Sequence, residues 1–74
     1  MSDVTEYWNV SWPVPHTGAD GFVSHMLQEY AAQNERDARS EARSQSRQYG
    51  HATVTNRAGL VATYVNGREW GSPQ

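Results

Sequence analysis

The chain opens with a strict alternation of apolar and polar residues. One side of this alternation carries large apolar residues, namely Trp8, Val10, Trp12 and Val14. The other side carries Tyr7, Asn9, Ser11 and Pro13. A period of two with aromatic and β-branched residues predicts a β-strand. Proline has no backbone N–H to donate, so we expect this strand to be an edge strand or to end at Pro13.

The next stretch, Gly21–Tyr49, has apolar residues at helical spacing and predicts one long amphipathic helix. Thr17 and Asp20 are alternative N-caps, and Gly50 stands where a C-cap glycine is expected. At 1.5 Å per residue the helix is about 40 Å long, longer than the neighbouring strands can cover. A break near residues 33–35 is the alternative, because Asn34 would suit the start of a second helix.

The last third is rich in β-branched residues and predicts a hairpin. Residues 51–56 and 60–66 are separated by a short segment with Gly59, and Asn66–Gly67 is a strong two-residue turn signal before a short final strand over residues 68–70. The predicted fold class is therefore α+β, in the order β-α-β-β with a short fourth strand. A small antiparallel sheet packs on one long amphipathic helix in a single domain, residues 1–70, followed by a flexible tail, residues 71–74.

A row of small residues continues the apolar face of the predicted helix, and it consists of Ala31, Ala38 and Ala42. Small side chains allow the backbone of another helix to approach closely, so we expect self-association along this row. Residues 1–35 carry five acidic residues and no Arg, a net charge of −5, whereas residues 36–74 carry six Arg against three acidic residues, a net charge of +3. An antiparallel homodimer would bring these unlike halves together. A solvated helix end with incidental alanines is the alternative.

Four arginines lie on one stripe of the predicted helix, at Arg36, Arg39, Arg43 and Arg47. Guanidinium groups spaced in this way can follow a phosphate backbone. The stripe can equally be the solvated side of an amphipathic helix, flanked by Glu35, Asp37 and Glu41. The sequence pI of about 5.8 is far from the basic character of most nucleic-acid binders. We therefore expect these arginines to meet a protein partner rather than nucleic acid.

The strand over residues 60–66 is apolar on both sides, and one helix covers only one face of a sheet. We expect Val61 and Val65, near Tyr7, to form an exposed patch that binds a partner. Ordinary surface exposure of two valines is the alternative. Trp8 and Trp12 alternate with valines, which favours core packing over a stacking platform for bases.

No combination of residues predicts catalysis, a cofactor site or a metal site. The chain has no Cys, and only His25 and Glu29 have the four-residue spacing of a helical ligand pair. No phosphate loop, nucleophile elbow or carboxylate pair is present. We expect a protein that is not an enzyme and that has neither a cofactor nor a small-molecule substrate.

Length and composition limit the remaining possibilities. A chain of 74 residues is marginally stable alone, and without disulfides or a metal it gains stability from association. There is no signal peptide and no apolar run that could span a membrane, so we expect a soluble, cytoplasmic protein without a membrane partner. The absence of Lys and Ile indicates a G+C-rich genome, and the short chain suits a phage or mobile-element accessory gene.

These observations together predict a homodimeric, non-catalytic interaction protein that binds and modulates another macromolecule. A protein is the expected partner, and a host-directed inhibitor is one version of this role. The alternative is a dimeric nucleic-acid-binding regulator that uses the Arg stripe of its helix.

Overall fold

A computed structural model describes residues 7–71 of the chain. It is an α+β fold in which one five-stranded antiparallel sheet packs against one helix. The elements in chain order are β1 (Trp8–Thr17), β2 (Val23–Ala32), α1 (Glu35–Tyr49), β3 (His51–Asn56), β4 (Gly59–Val65) and β5 (Arg68–Gly71). Their order across the sheet is β2-β1-β3-β4-β5. The predicted tail lies outside the described residues apart from Gly71, which ends β5, and so do residues 1–6 of the predicted domain.

The prediction of one helix from Gly21 to Tyr49 is wrong in its first half. Val23–Ala32 is a strand that pairs with the whole of β1, from Trp8 opposite Ala32 to Thr17 opposite Val23. The helix begins only at Glu35, after the N-cap Asn34, whose side chain accepts a hydrogen bond from the backbone N–H of Asp37 at 2.8 Å. The alternative of a break near residues 33–35 is right about the start of α1, but the segment before the break is a strand and not a first helix. The predicted order β-α-β-β therefore lacks one strand.

The turn between β1 and β2 explains why Asp20 is not a helix cap. The Asp20 carboxylate accepts a hydrogen bond from the backbone N–H of Phe22 at 3.0 Å, and Gly21 adopts a positive φ of 86°. An Asp followed by a residue in the left-handed region is typical of a turn. The chain reverses here, and the residues after Gly21 extend back along β1.

The core lies between the helix and one face of the sheet. The buried residues are Trp8, Val10, Trp12, Ala38, Ala42, Ala52, Val54, Ala62 and Tyr64. The small helix residues Ala38 and Ala42 are fully buried, and they let the helix lie close over the large side chains of β1 and β4. Trp8 and Trp12 are both buried, so the interpretation of these two residues as core is confirmed.

The end of the helix and the turns that follow it lie where the sequence predicts them. Asn66 and Gly67 both have positive φ, at 52° and 87°, as a two-residue hairpin turn requires. The helix ends at Gly50, whose φ is 93° and whose N–H donates to the carbonyl of Ser46 at 2.7 Å. The predicted final strand is confirmed as β5. The predicted hairpin between β3 and β4 is present with a register shift between Val54 and Thr55, opposite residues 60–62.

Candidate functional site: a projecting hairpin arm

The hairpin of β1 and β2 extends beyond the rest of the sheet. β3 pairs with β1 only as far as Ser11 opposite Thr53, whereas β2 continues beside β1 to Thr17. We call residues 13–27, which include the turn, the arm. In the arm, residues 13–17 pair with residues 23–27. At 3.3–3.4 Å per residue, these five paired positions are about 17 Å long. The arm accounts for the elongated shape of the described residues, which extend over 51 × 25 × 19 Å.

The arm exposes large apolar side chains. The exposed fractions are 76% for Phe22, 61% for Val23, 55% for Met26 and 65% for Leu27. Asp20 is the only Asp, Glu, Lys or Arg among residues 13–27. Scattered exposed apolar residues are normal, but four on one nearly uncharged projection are typical of an interaction site.

Both faces of the arm contribute to this apolar surface. In an antiparallel pair, directly opposed residues share a face, and the buried Trp8, Val10 and Trp12 mark the helix side of β1. Met26 is opposite Val14 and lies on the helix side. Leu27 is opposite Pro13 and lies on the other side. The arm is therefore suited to contacts on either face and at its tip.

The base of the arm is held to the helix by a polar contact. The Tyr30 hydroxyl donates a hydrogen bond to Asp37 Oδ2 at 3.0 Å, and the backbone N–H of Gln33 donates to the same oxygen at 3.1 Å. The hydrogen bond to the Asp37 carboxylate, with a smaller contribution from burial and nearby negative charge, raises the pKa of Tyr30 above its usual value. One carboxylate thus connects β2, the β2–α1 link and the first turn of α1.

Two arginines of the predicted stripe contact other elements of the same chain. Arg39 Nε donates to Glu35 at 2.8 Å, and its Nη1 lies 3.2 Å from Glu69 and 3.2 Å from the Tyr64 hydroxyl. The hydrogen bonds to Glu35 and Tyr64 raise the pKa of Arg39, so its charge is fixed at any ordinary pH. The Arg43 guanidinium lies over the Tyr64 ring, 5.8 Å from its centroid. These two arginines therefore connect the helix to β4 and β5.

The remaining arginines of the stripe differ from each other. The side chain of Arg47 lies against Gly67, where an added Cβ would come within 2.9 Å of Arg47 Nε. Arg36 is exposed and lines a shallow depression of about 550 Å³ together with Glu35, Arg39, Ser40 and Arg43. Arg39, Arg43 and Arg47 thus contact β4, β5 or the turn between them. Only Arg39 is half-buried, and the other three arginines of the stripe are exposed.

The predicted patch of Tyr7, Val61 and Val65 is spread over the sheet. Tyr7 is 50% exposed and immediately precedes β1 at the end where Trp8 is opposite Asn56. Val65 is half-buried and opposite His51, at the other end of β3. Val61 is half-buried at the register shift and packs against the core. The three residues do not form one patch, because the length of β3 separates Tyr7 from Val65.

The predicted self-association row is also divided. Ala38 and Ala42 are covered by the sheet of their own chain and offer no surface to a second helix. Ala31 is not helical but lies on β2, where it is exposed opposite Asn9. This row therefore cannot form a helix-pair interface, because two of its residues are part of the core and the third lies on a strand.

The described part of the chain contains no group of three or more His, Cys, Asp or Glu residues that could hold a metal ion. His25 and Glu29 lie on the same face of β2 rather than on a helix. Within residues 7–71, no helix is long and apolar enough to cross a membrane.

No protein-family model, curated protein or solved structure matches this chain. The arm is therefore the feature of the molecule that points to its function. Sequence reasoning missed the arm because residues 23–32 were assigned to the helix. The Asp20–Gly21 turn signal followed by Phe22 and Val23 was the feature that pointed to a hairpin instead.

Proposed function

We propose that this protein is a non-catalytic interaction module that binds another protein through its arm. The observation that carries the proposal is the set of four large apolar side chains at the arm, each more than half exposed. Exposing such a surface to water is unfavourable at about 25 cal/mol per Å² of apolar area, and a protein partner that covers it recovers this free energy.

The charge of the arm favours a protein over nucleic acid as the partner. Binding to a phosphate backbone depends on neutralisation by Lys and Arg, and residues 13–27 contain neither. Arm residues also present both faces of a narrow two-stranded ribbon, which fits a cleft or the surface beside another sheet.

The test is affinity capture from lysate of a G+C-rich bacterium with three forms of the protein. The wild type is compared with a variant that carries Phe22→Ser and Leu27→Ser, and with Trp70→Ser as the matched control. Trp70 has the same exposed fraction as Phe22, 76%, but lies on β5. We expect a protein that co-purifies with the wild type and the Trp70 variant and is lost with the arm variant. Identical captured proteins for all three forms would contradict the proposal.

A dimeric nucleic-acid-binding regulator is the second candidate, and the depression beside Arg36 favours it. Three arginines line this depression, so a phosphate group would find donors there. Arg39 is already engaged by Glu35 and Glu69, which weakens the field. The measurement is binding to random duplex and single-stranded nucleic acid over a salt series. Affinity that falls steeply with salt, and falls further with Arg36→Gln, would support this function.

A further inference from the structure

The two open edges of the arm differ in how they are protected. Exposed strand edges pair readily with other chains, and proteins protect them with Pro, Lys, bulges or charges that point inward. On the β1 side of the arm, Pro13 and Pro15 lie beyond Ser11, the last residue that pairs with β3. The pairing of β1 with β2 continues past both prolines without a register shift. The side of β1 on which the prolines lack an N–H donor is therefore the open side, away from β2. That edge of β1 is protected.

The outer edge of β2 has none of this protection. β2 is the terminal strand of the sheet formed by residues 7–71 and is ten residues long. It contains no Pro and no Lys, and its register with β1 has no bulge. Among its ten residues only Glu29 is an Asp, Glu, Lys or Arg. A long, regular, weakly charged edge beside a protected one indicates that the β2 edge is normally paired.

We infer that β2 pairs in antiparallel fashion with β2 of a second copy of this chain, centred on Leu27, so that two sheets join across a two-fold axis. This inference rests on the proposed role of the arm and names the molecule that meets its outer edge. Two identical strand edges form a closed dimer when they pair in antiparallel fashion about a two-fold axis perpendicular to the sheet. Both helices then lie on the same side of the joined sheet.

The polar side chains of His25 and Glu29 select the centre of this pairing. With Leu27 on the axis, His25 of one protomer lies opposite Glu29 of the partner subunit, and this pair occurs twice. Moving the centre by one residue places Glu29 opposite Val23 or opposite Leu27 instead. A carboxylate can accept a hydrogen bond from an imidazole N–H that faces it across strands, whereas a carboxylate against an aliphatic residue gains nothing. The register centred on Leu27 also joins the exposed Leu27 side chains on the helix-free face.

The same register also places the arm of each protomer beside the partner subunit. Val23 of one arm lies opposite Ala31 of the partner subunit, so the arm extends along the base of the other hairpin. Met26 lies opposite Gln28 of the partner subunit on the helix side. About eight to ten backbone hydrogen bonds form over residues 23–31, since alternate opposed pairs exchange two bonds each.

The first test is a disulfide at the axis. The chain has no Cys, so Leu27→Cys introduces a single thiol, and directly opposed strand residues have the separation that a disulfide needs. Leu60→Cys is the matched control, since Leu60 is 49% exposed on β4. In a glutathione buffer at micromolar protein, we expect the Leu27 variant to form covalent dimer on the order of a hundredfold faster, because pairing raises the effective thiol concentration to millimolar. Equal rates for the two variants would overturn the inference.

The second test examines the register through charge. The mass of the wild type in solution should rise with concentration from one chain to two, as measured by light scattering. His25→Glu places a second carboxylate opposite Glu29 at each end of the pairing and should weaken dimerisation roughly tenfold. Adding Glu29→Lys to this variant should restore it. A wild type that stays monomeric, or a double variant as weak as the single one, would overturn the inference.

The two proposals fail separately. Light scattering and disulfide formation use the pure protein and test whether the dimer forms. Lysate capture tests whether a different protein binds the arm. Both sets of substitutions lie at exposed residues, so folding of the chain is not at issue.

Discussion

The side-chain oxygen of Ser46 accepts a hydrogen bond from the backbone N–H of Gly67 at 2.8 Å. Its hydroxyl donates to the carbonyl of Arg43 at 3.1 Å. Ser46 is fully buried and is the one buried polar side chain among the described residues. Both of its polar capacities are used, so the β4–β5 turn is attached to the helix without an unsatisfied group.

Replacing Ser46 by Ala should destabilise the fold by about 1–3 kcal/mol, because the Gly67 N–H is left buried without an acceptor. The measurement is the free energy of unfolding in urea. Ser44→Ala is the matched control, since Ser44 is exposed on the same helix and its replacement should change stability little. Equal effects of the two substitutions would contradict the role assigned to the buried hydrogen bond.

Replacing Ala42 by Leu should also destabilise the chain, by about 1–3 kcal/mol, because the helix lies close to the sheet and has no room for three more carbons. Ser44→Leu, at an exposed position of the same helix, serves as the control. A Leu at position 42 that leaves the unfolding free energy unchanged would show that Ala42 is not packed as described.

The sequence patterns correctly predicted elements that bury one face only, and elements that depend on local backbone conformation. β1 alternates because one of its faces lies under the helix, and the turn at Asn66–Gly67 needs the positive φ values that these residues tolerate. The Asn34 N-cap and the Gly50 C-cap were also visible, since both depend on local backbone chemistry.

β2 was missed because its fold depends on distant residues and not on its own pattern. Seven of its ten positions from Val23 to Glu29 are exposed in succession, so its sequence has no alternation of buried and exposed residues. Val23, Leu27 and Ala31 recur at a spacing of four, which satisfies a helix and one face of a strand alike. Pairing with β1 decides between a helix and a strand, and no pattern within residues 23–32 indicates that pairing.

The start of the helix offers a direct test of this boundary. Asn34→Ala removes the acceptor for the Asp37 N–H and should cost about 0.5–2 kcal/mol of stability, whereas Asn34→Ser should be nearly neutral. Thermal unfolding followed by circular dichroism measures both. If the helix instead began near Gly21, position 34 would be interior and Asn34→Ala would stabilise it.

The contact between Tyr30 and Asp37 predicts a loss of stability in alkali. The hydrogen bond to Asp37 raises the pKa of Tyr30 in the folded chain above its unfolded value of about 10. A raised folded pKa stabilises the fold fully below the unfolded value, and this contribution disappears as the pH rises through the folded pKa. The melting temperature should therefore decline above pH 10 more steeply in the wild type than in Tyr30→Phe. Parallel profiles for the two would contradict the prediction.

The arginines of the helix should separate into structural and surface groups. Arg39 contacts Glu35, Glu69 and the Tyr64 hydroxyl, so Arg39→Gln should lower the unfolding free energy by about 1 kcal/mol or less, as expected for partly exposed ion pairs. Arg36→Gln, at the exposed end of the stripe, should change it by less than Arg39→Gln. Urea denaturation at low and high salt measures both, and the cost at Arg39 should shrink with salt because screening weakens exposed ion pairs. A larger cost at Arg36 than at Arg39 would show that the contacts of Arg39 do not hold the helix to β5.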